Sequence, residues 1–126
     1  MHLLKTSDII AFVGVRDAGA ARTFYRDTLG LTLVSEDRFA LVFDANGTML
    51  RVTLVPEVRS ANYTVLGWQV SDIVATAKLL NAAGVELQRY PGLNDRDELG
   101  IWTAPGGARI AWFKDPDGNV LSITQF

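Results

Sequence analysis

Few side chains in this sequence have the chemistry needed for nucleophilic or acid–base catalysis. Cysteine is absent and the one histidine is His2, so a thiol nucleophile is excluded and a histidine base in the core is not expected. Proton transfer would depend on a carboxylate such as Glu36 or Glu98, or on the phenol of Tyr63 or Tyr90. No spacing in the sequence selects one of these four groups.

The composition predicts one globular domain spanning residues 1–126. A chain of 126 residues with 48% hydrophobic side chains can bury a core without disulfide bonds. Its 12 basic and 14 acidic side chains leave a formal net charge of -2, which argues against a nucleic-acid partner. No apolar run reaches the length of a membrane span, and the first residues lack the pattern of a secretory signal. We therefore expect a cytoplasmic protein with no membrane partner.

The first half of the sequence predicts a strand, a helix and three further strands. The β-branched and aromatic run at residues 9–15 predicts a buried strand. Asp17 is placed to cap the helix that follows, and Gly30 to end it in a left-handed conformation. Strands are then predicted at residues 31–35, 39–44 and 48–55, with Asn46-Gly47 as the tight turn between the last two.

The second half repeats this plan from Tyr63 onward. Val70-Ser71-Asp72 matches Val15-Arg16-Asp17, and Gly84 follows a second amphipathic stretch as Gly30 follows the first. Further strands are predicted at residues 85–90, 101–104, 108–114 and 119–126. The sequence thus predicts an α+β fold of two tandem βαβββ modules, about residues 9–55 and 63–126.

Two acidic segments of the second half need separate interpretation. Asp115 and Asp117 form a carboxylate pair within the sequence Asp-Pro-Asp-Gly, which is typical of a β-turn. A structural role in the turn explains both residues better than acid–base catalysis does. The stretch from Pro91 to Gly100 carries three acidic residues and predicts a solvated loop, with a mobile lid as the alternative.

The order of these elements resembles the glyoxalase, bleomycin-resistance and extradiol-dioxygenase superfamily, also called the vicinal oxygen chelate fold. The resemblance covers nearly the whole chain and depends on Phe24-Tyr25, on Leu29-Gly30-Leu31 and on the segment Phe113 to Asn119. It implies that the mixed sheets of the two modules curl into a cup. It also implies a homodimer, in which modules of different chains can pair.

The resemblance further implies a divalent metal held by histidines or carboxylates from the first and fourth strands of each module. Counted from the shared motifs, those positions hold Ile10, Arg51, Val65 and Ser122. The two aliphatic side chains have no lone pair, and a guanidinium is a permanent cation that repels a metal ion. We therefore expect no divalent metal cofactor.

The residues that share a strand face with these four positions are expected to line the cup, because side chains alternate along a strand. The predicted ligand-binding residues are Phe12, Met49, Arg51, Gln69, Trp112, Ser122 and Thr124, with Thr53 and Val120 beside them. Arg51 could make a two-pronged contact with a carboxylate or phosphate, and Trp112 could stack on a flat ring.

Each of these interpretations has a structural alternative. Arg51 could point to solvent or pair with Asp44 or Glu57, and Trp112 could belong to the core. The polar residues of the last strand could satisfy one another. Trp68 is assigned to the core that packs on the helix.

The expected function is metal-free binding of a small organic molecule, with an anionic aromatic compound as one option, and bleomycin-resistance proteins are the family precedent for such binding. Those proteins bind a cationic drug in an acidic groove, so Arg51 argues against bleomycin itself as the ligand. The alternative is a lyase, isomerase or dioxygenase-type enzyme of the same superfamily, with a metal at unrecognised ligands or with none.

Overall fold

Each half of the chain folds into a four-stranded mixed sheet with a helix against one face. The computed structural model describes residues 3–126, so His2 lies outside the described residues. The chain divides into two units, the first ending at Val58 and the second beginning at Arg59. This boundary falls between the two predicted modules, about residues 9–55 and 63–126. The predicted α+β class with two modules is confirmed.

The first unit contains β1 (Ile10–Val15), α1 (Ala18–Arg22), β2 (Thr32–Glu36), β3 (Ala40–Ala45) and β4 (Thr48–Leu54). Its strand order is β1-β4-β3-β2, with β1 parallel to β4 and the other pairs antiparallel. Asp17 caps α1 as predicted, since its Oδ1 accepts a hydrogen bond from the amide of Gly19 at 2.8 Å. The core includes the fully buried Tyr25 and Phe43, whose ring centroids lie 5.9 Å apart.

The predicted first helix continues beyond α1 as a π-helical segment, Thr23–Thr28. The amide of Leu29 donates to the carbonyl of Phe24, five residues earlier, at 2.9 Å. Gly30 then takes a left-handed φ of 79°, so the chain turns into β2 where the sequence predicts the helix to end.

The second unit contains β5 (Leu66–Gln69), α2 (Ile73–Ala82), β6 (Trp102–Thr103), β7 (Arg109–Lys114) and β8 (Val120–Gln125). The strand order is β5-β8-β7-β6, again with the first pair parallel. Asp72 caps α2 at the amide of Ala75. This helix is amphipathic as predicted, because Ile73, Ala77 and Leu80 on one face are buried.

One predicted strand is wrong. Residues 85–90 form no strand, and only Gln88 makes a bridge, to Trp112. Val85 and Leu87 are buried as alternation predicts. The amide of Gln88 donates to the carbonyl of Trp112, but the Gln88 carbonyl and the Tyr90 amide pair with the next loop. The side chain of Asn94 binds the carbonyl of Gln88 and the amide of Tyr90. The strand predicted at 101–104 is correspondingly short, since β6 contains two residues.

The Asp-Pro-Asp-Gly segment is a turn, as predicted. Asp115 is buried, and its Oδ1 accepts hydrogen bonds from the amides of Asp117 and Asn119, both at 2.9 Å. Within residues 3–126, no helix has the length and apolar character required to cross a lipid bilayer.

Candidate functional site

The first sheet has an open apolar face on the side away from α1. Leu50 and Val52 of β4 are buried on the helix side, so Met49, Arg51 and Thr53 lie on the other face. The register pairs Ile10 with Met49 and Phe12 with Arg51, which places all the predicted first-unit residues on this one face. Phe12 is 61% exposed, Ile10 45% and Met49 43%, so the apolar side chains around the arginine are accessible within this unit.

Arg51 lies on an inner strand of that sheet. Its neighbours across the sheet are Phe12 on β1 and Val42 on β3. The nearby carboxylate of Asp37 accepts hydrogen bonds from the amides of Phe39 and Ala40, which lower its pKa, and the charge of Arg51 lowers it further. Asp44, one expected partner of Arg51, instead accepts a hydrogen bond from the amide of Gly47.

The second sheet collects the remaining predicted residues on one face. Ser122 is opposite Trp112 on β7 and Gly67 on β5, and Thr124 is opposite Gln69. Val120 lies two residues before Ser122 and has the same facing. Trp68 has the opposite facing and stacks on Phe113 with ring centroids 6.4 Å apart, as expected for the helix side of the sheet.

A pocket of about 380 Å³ opens on this second face. Its lining residues are Asn62, Tyr63, Thr64, Tyr90, Leu93, Trp112 and Val120. Three of them are aromatic and none is charged. The ring of Tyr90 meets Trp112 edge-on at 5.5 Å, and Trp102 stacks on Trp112 at 6.0 Å. The indole of Trp112 is therefore held by two neighbouring rings and forms part of the wall of a cavity with the size and polarity of small-molecule sites.

The loop from Gln88 to Ile101 positions Tyr90 and Leu93 at the pocket. Asn94 is 2% exposed, and its Nδ2 donates to the carbonyls of Gln88 and Gly100 at 3.1 and 2.8 Å. The guanidinium of Arg89 donates to the carbonyl oxygens of Asp97 and Glu98. The acidic side chains of this loop are exposed as predicted, but its backbone is tied together by these internal hydrogen bonds.

The four positions at which the resemblance places metal ligands hold residues that do not fit a divalent ion. Ile10 and Val65 offer no donor atom, Arg51 is cationic, and Ser122 supplies one neutral hydroxyl. Residues 3–126 also contain no group of three or more His, Cys, Asp or Glu side chains arranged to hold a metal ion.

The candidates for proton transfer fall into two groups. Glu36 faces the helix side of β2 and accepts a hydrogen bond from Arg22 Nε at 2.9 Å, which together with the charge of Arg22 lowers the pKa of this carboxyl. Glu98 is exposed in the loop. Tyr63 and Tyr90 both line the pocket.

Sequence reasoning missed the pocket roles of Asn62, Thr64 and Leu93 and treated the two tyrosines only as possible acids or bases. None of these residues lies in a strand, so alternation gives no information about their facing. The signal available in advance was the run Tyr90-Pro91-Gly92, which places an aromatic ring at the start of a tight turn beside the Trp112 strand.

The sequence matches the profile of the Glyoxalase/Bleomycin resistance protein/Dioxygenase superfamily over residues 6–123, and the chain belongs to this superfamily. Among curated proteins, no match to the chain is found.

Solved structures similar to this chain include a glyoxalase family protein from Enterococcus faecalis, with a TM-score of 0.75 and 17% identity over 96% of this chain and 99% of that one. A lactoylglutathione lyase from Agrobacterium tumefaciens gives a TM-score of 0.72 and 18% identity over 94% and 93%. A superfamily member from Sphaerobacter thermophilus gives 0.70 and 22% over 94% and 97%. At these identities the similarity establishes the fold alone.

Proposed function

We propose that the protein binds a small organic molecule with a flat, apolar ring, and that it does so without a metal ion. The observation that carries this proposal is the aromatic pocket of the second unit, with Trp112 at its wall. A cavity of about 380 Å³ has the volume of a site for a one- or two-ring compound.

The arrangement of the aromatic residues favours ring binding over simple core packing. Trp112 is half-buried rather than buried, and its contacts with Tyr90 and Trp102 fix the plane of the indole before any ligand arrives. A ring that stacks on a fixed indole loses less conformational freedom of the protein on binding. Because no lining residue is charged, we expect the apolar ring of a ligand, and not a charged group, to occupy the pocket.

A matched pair of tryptophan variants tests the proposal. The intact chain is titrated with a panel of one- and two-ring compounds while intrinsic fluorescence and thermal unfolding are recorded. We expect a saturable response to at least one ring compound, and an affinity about tenfold lower or worse in Trp112→Leu.

Trp68→Leu is the control, because Trp68 lies on the opposite face of the same sheet against Phe113. This variant is expected to lower stability by about 1–3 kcal/mol and to leave ring binding unchanged. Equal losses of binding in both variants, or no response to any ring compound, would contradict the proposal.

The second candidate function is an enzyme of the lyase, isomerase or dioxygenase type. It is favoured by the two tyrosine phenols at the pocket, which could hold or move a proton at a bound ligand. Elemental analysis of protein purified without chelators, followed by assays with and without added divalent ions, separates the candidates. One tightly held metal ion per chain would favour the enzyme.

We further propose that the protein acts as a cytoplasmic homodimer, as the family resemblance implies. Light scattering coupled to size-exclusion chromatography measures the molar mass directly. A mass near 13.8 kDa, that of one chain, would contradict the dimer.

A further inference from the structure

The first unit presents an unusual combination, a guanidinium in the middle of an accessible apolar sheet face. Arg51 is on β4, which has a strand on each side, and its cross-strand neighbours are Phe12 and Val42. A long cationic side chain at the edge of a sheet can turn outward to water. On an inner strand the side chain shares its face with neighbours on both sides, and Arg51 is half-buried there.

No residue in the described range 3–126 gives the Arg51 guanidinium a hydrogen bond or an ion pair. Ion pairs in the first unit join Arg22 to Glu36 and Arg26 to Asp27. The charge of Arg51 lowers the pKa of the nearby Asp37 carboxyl. However, Oδ1 of Asp37 accepts hydrogen bonds from the amides of Phe39 and Ala40, at 2.8 and 3.0 Å. The guanidinium therefore keeps its donors available for a ligand.

We propose that this face of the first sheet is a binding site for organic carboxylates, with the Arg51 guanidinium clamping the carboxylate and the apolar body of the ligand lying on Phe12, Ile10 and Met49. The planar fork of five N–H donors matches the two oxygens of a carboxylate. The exposed side chains on the same face offer the ligand an apolar surface.

The resemblance places a metal ligand at residue 51, where this chain has an arginine. A permanent cation at residue 51 supplies a positive charge for an oxyanion without any metal ligand. This site names carboxylates as the ligand class. It rests on the proposed function only to the extent that the protein binds small molecules. It uses residues of the first unit alone.

Benzoate and benzyl alcohol, which share a ring and differ in the carboxylate, are the probes. The intact chain is labelled with ¹⁵N, and the backbone amide signals of Phe12, Val42 and Arg51 are followed during each titration. Benzoate is expected to shift these signals to saturation. Benzyl alcohol is expected to bind this face about tenfold more weakly or not at all.

Three variants test the role of the guanidinium. Arg51→Gln is expected to weaken benzoate binding at these amides about tenfold or more, and Arg51→Lys by less, because it keeps the charge and loses the fork. Arg38→Gln removes the same charge from an exposed arginine that lies over the Phe39 ring, and is expected to leave benzoate affinity unchanged. Thermal unfolding of each variant checks that it folds, and Arg51→Lys keeps the test usable if Arg51→Gln does not.

Several results would overturn the proposal. Equal affinities for benzoate and benzyl alcohol would remove the need for an anion site, and equal losses in Arg38→Gln and Arg51→Gln would indicate a general charge effect. Signals that shift with protein concentration and not with benzoate would mean that a second copy of the chain covers this face. All three tryptophans lie in the second unit, so tryptophan fluorescence reports on that unit, and failure at Arg51 is distinguishable from failure of the proposed ring pocket.

Discussion

The Oδ1 atom of Asn94 accepts a hydrogen bond from the backbone amide of Tyr90 at 2.7 Å. The same side chain donates to two carbonyls, so one buried amide group connects both ends of the 88–101 loop. Tyr90 enters the pocket wall from this loop rather than from a strand. The position of its ring therefore depends on a side chain that does not itself line the pocket.

Replacing Asn94 is expected to destabilise the second unit strongly. Asn94→Ala leaves the part-buried carbonyl of Gln88, the buried carbonyl of Gly100 and the amide of Tyr90 without their partner, which costs about 2–4 kcal/mol in the free energy of unfolding. Urea unfolding measures this change. Asn81→Ala on the exposed face of α2 is the control and is expected to change stability by about 0.5 kcal/mol or less. Similar values for the two variants would show that the loop does not depend on Asn94.

Gly67 is expected to resist substitution because of its neighbour on β8. A Cβ atom at this position would lie 3.0 Å from Ser122 Oγ and 3.4 Å from the Ser122 carbonyl oxygen. Gly67→Ala should therefore lower the free energy of unfolding by about 1–3 kcal/mol. Adding Ser122→Ala should recover part of the loss, since it removes the closest atom. Gly106→Ala, where a Cβ meets nothing within 4 Å, is the control, and an equal cost there would contradict the packing explanation.

The pair Arg22–Glu36 predicts an acid-dependent contribution to stability. The hydrogen bond and charge of Arg22 lower the pKa of Glu36 in the folded state, so the folded protein binds this proton less readily than the unfolded chain. The stabilisation is present above the ordinary carboxyl pKa of 4.5 and is lost as the pH falls through the lowered folded value. A double-mutant cycle with Arg22→Gln and Glu36→Gln should give a favourable coupling at neutral pH that vanishes in strong acid. Coupling that is unchanged in acid would rule out this origin.

The hairpin between β3 and β4 is expected to tolerate change at only one of its two turn residues. Asn46 has a φ of 51°, in the left-handed helical region that asparagine tolerates. Gly47 has a φ of 92°, which a residue with a side chain adopts far less readily. Gly47→Ala is expected to cost about 1–2 kcal/mol, whereas Asn46→Gly should be nearly neutral. Chemical denaturation of both variants tests the difference, and a larger cost at Asn46 would contradict it.

Local chemistry was enough to predict the elements that repeat. Asp17 and Asp72 cap their helices, Gly30 and Gly84 take left-handed conformations, and the Asn46-Gly47 turn has both φ values positive. Each of these features depends on residues within a few positions of one another. Strand alternation likewise placed Arg51 beside Phe12 and Trp112 beside Ser122.

The pocket could not be predicted in the same way, because its wall depends on long-range side-chain contacts. The alternation at Val85 and Leu87 is real, and both are buried, yet no strand forms because Asn94 competes for the backbone of residues 88–90. The π-helical turn before Gly30 was also missed, since the spacing of Phe24 and Tyr25 fits an ordinary helix equally well. The choice between a core role and a ligand role for Trp112 required the contacts of Tyr90 and Trp102.

The irregular register of β2 has a consequence for solubility. This strand is at the edge of the first sheet, and its pairing with β3 shifts between Leu33 and Ser35, so that Val34 is left out of register and 63% exposed. A straight edge strand offers a continuous row of amides and carbonyls on which a neighbouring molecule can add a strand. The irregularity interrupts that row at its middle and protects the protein from growth into extended intermolecular sheets, even though the edge carries an apolar side chain.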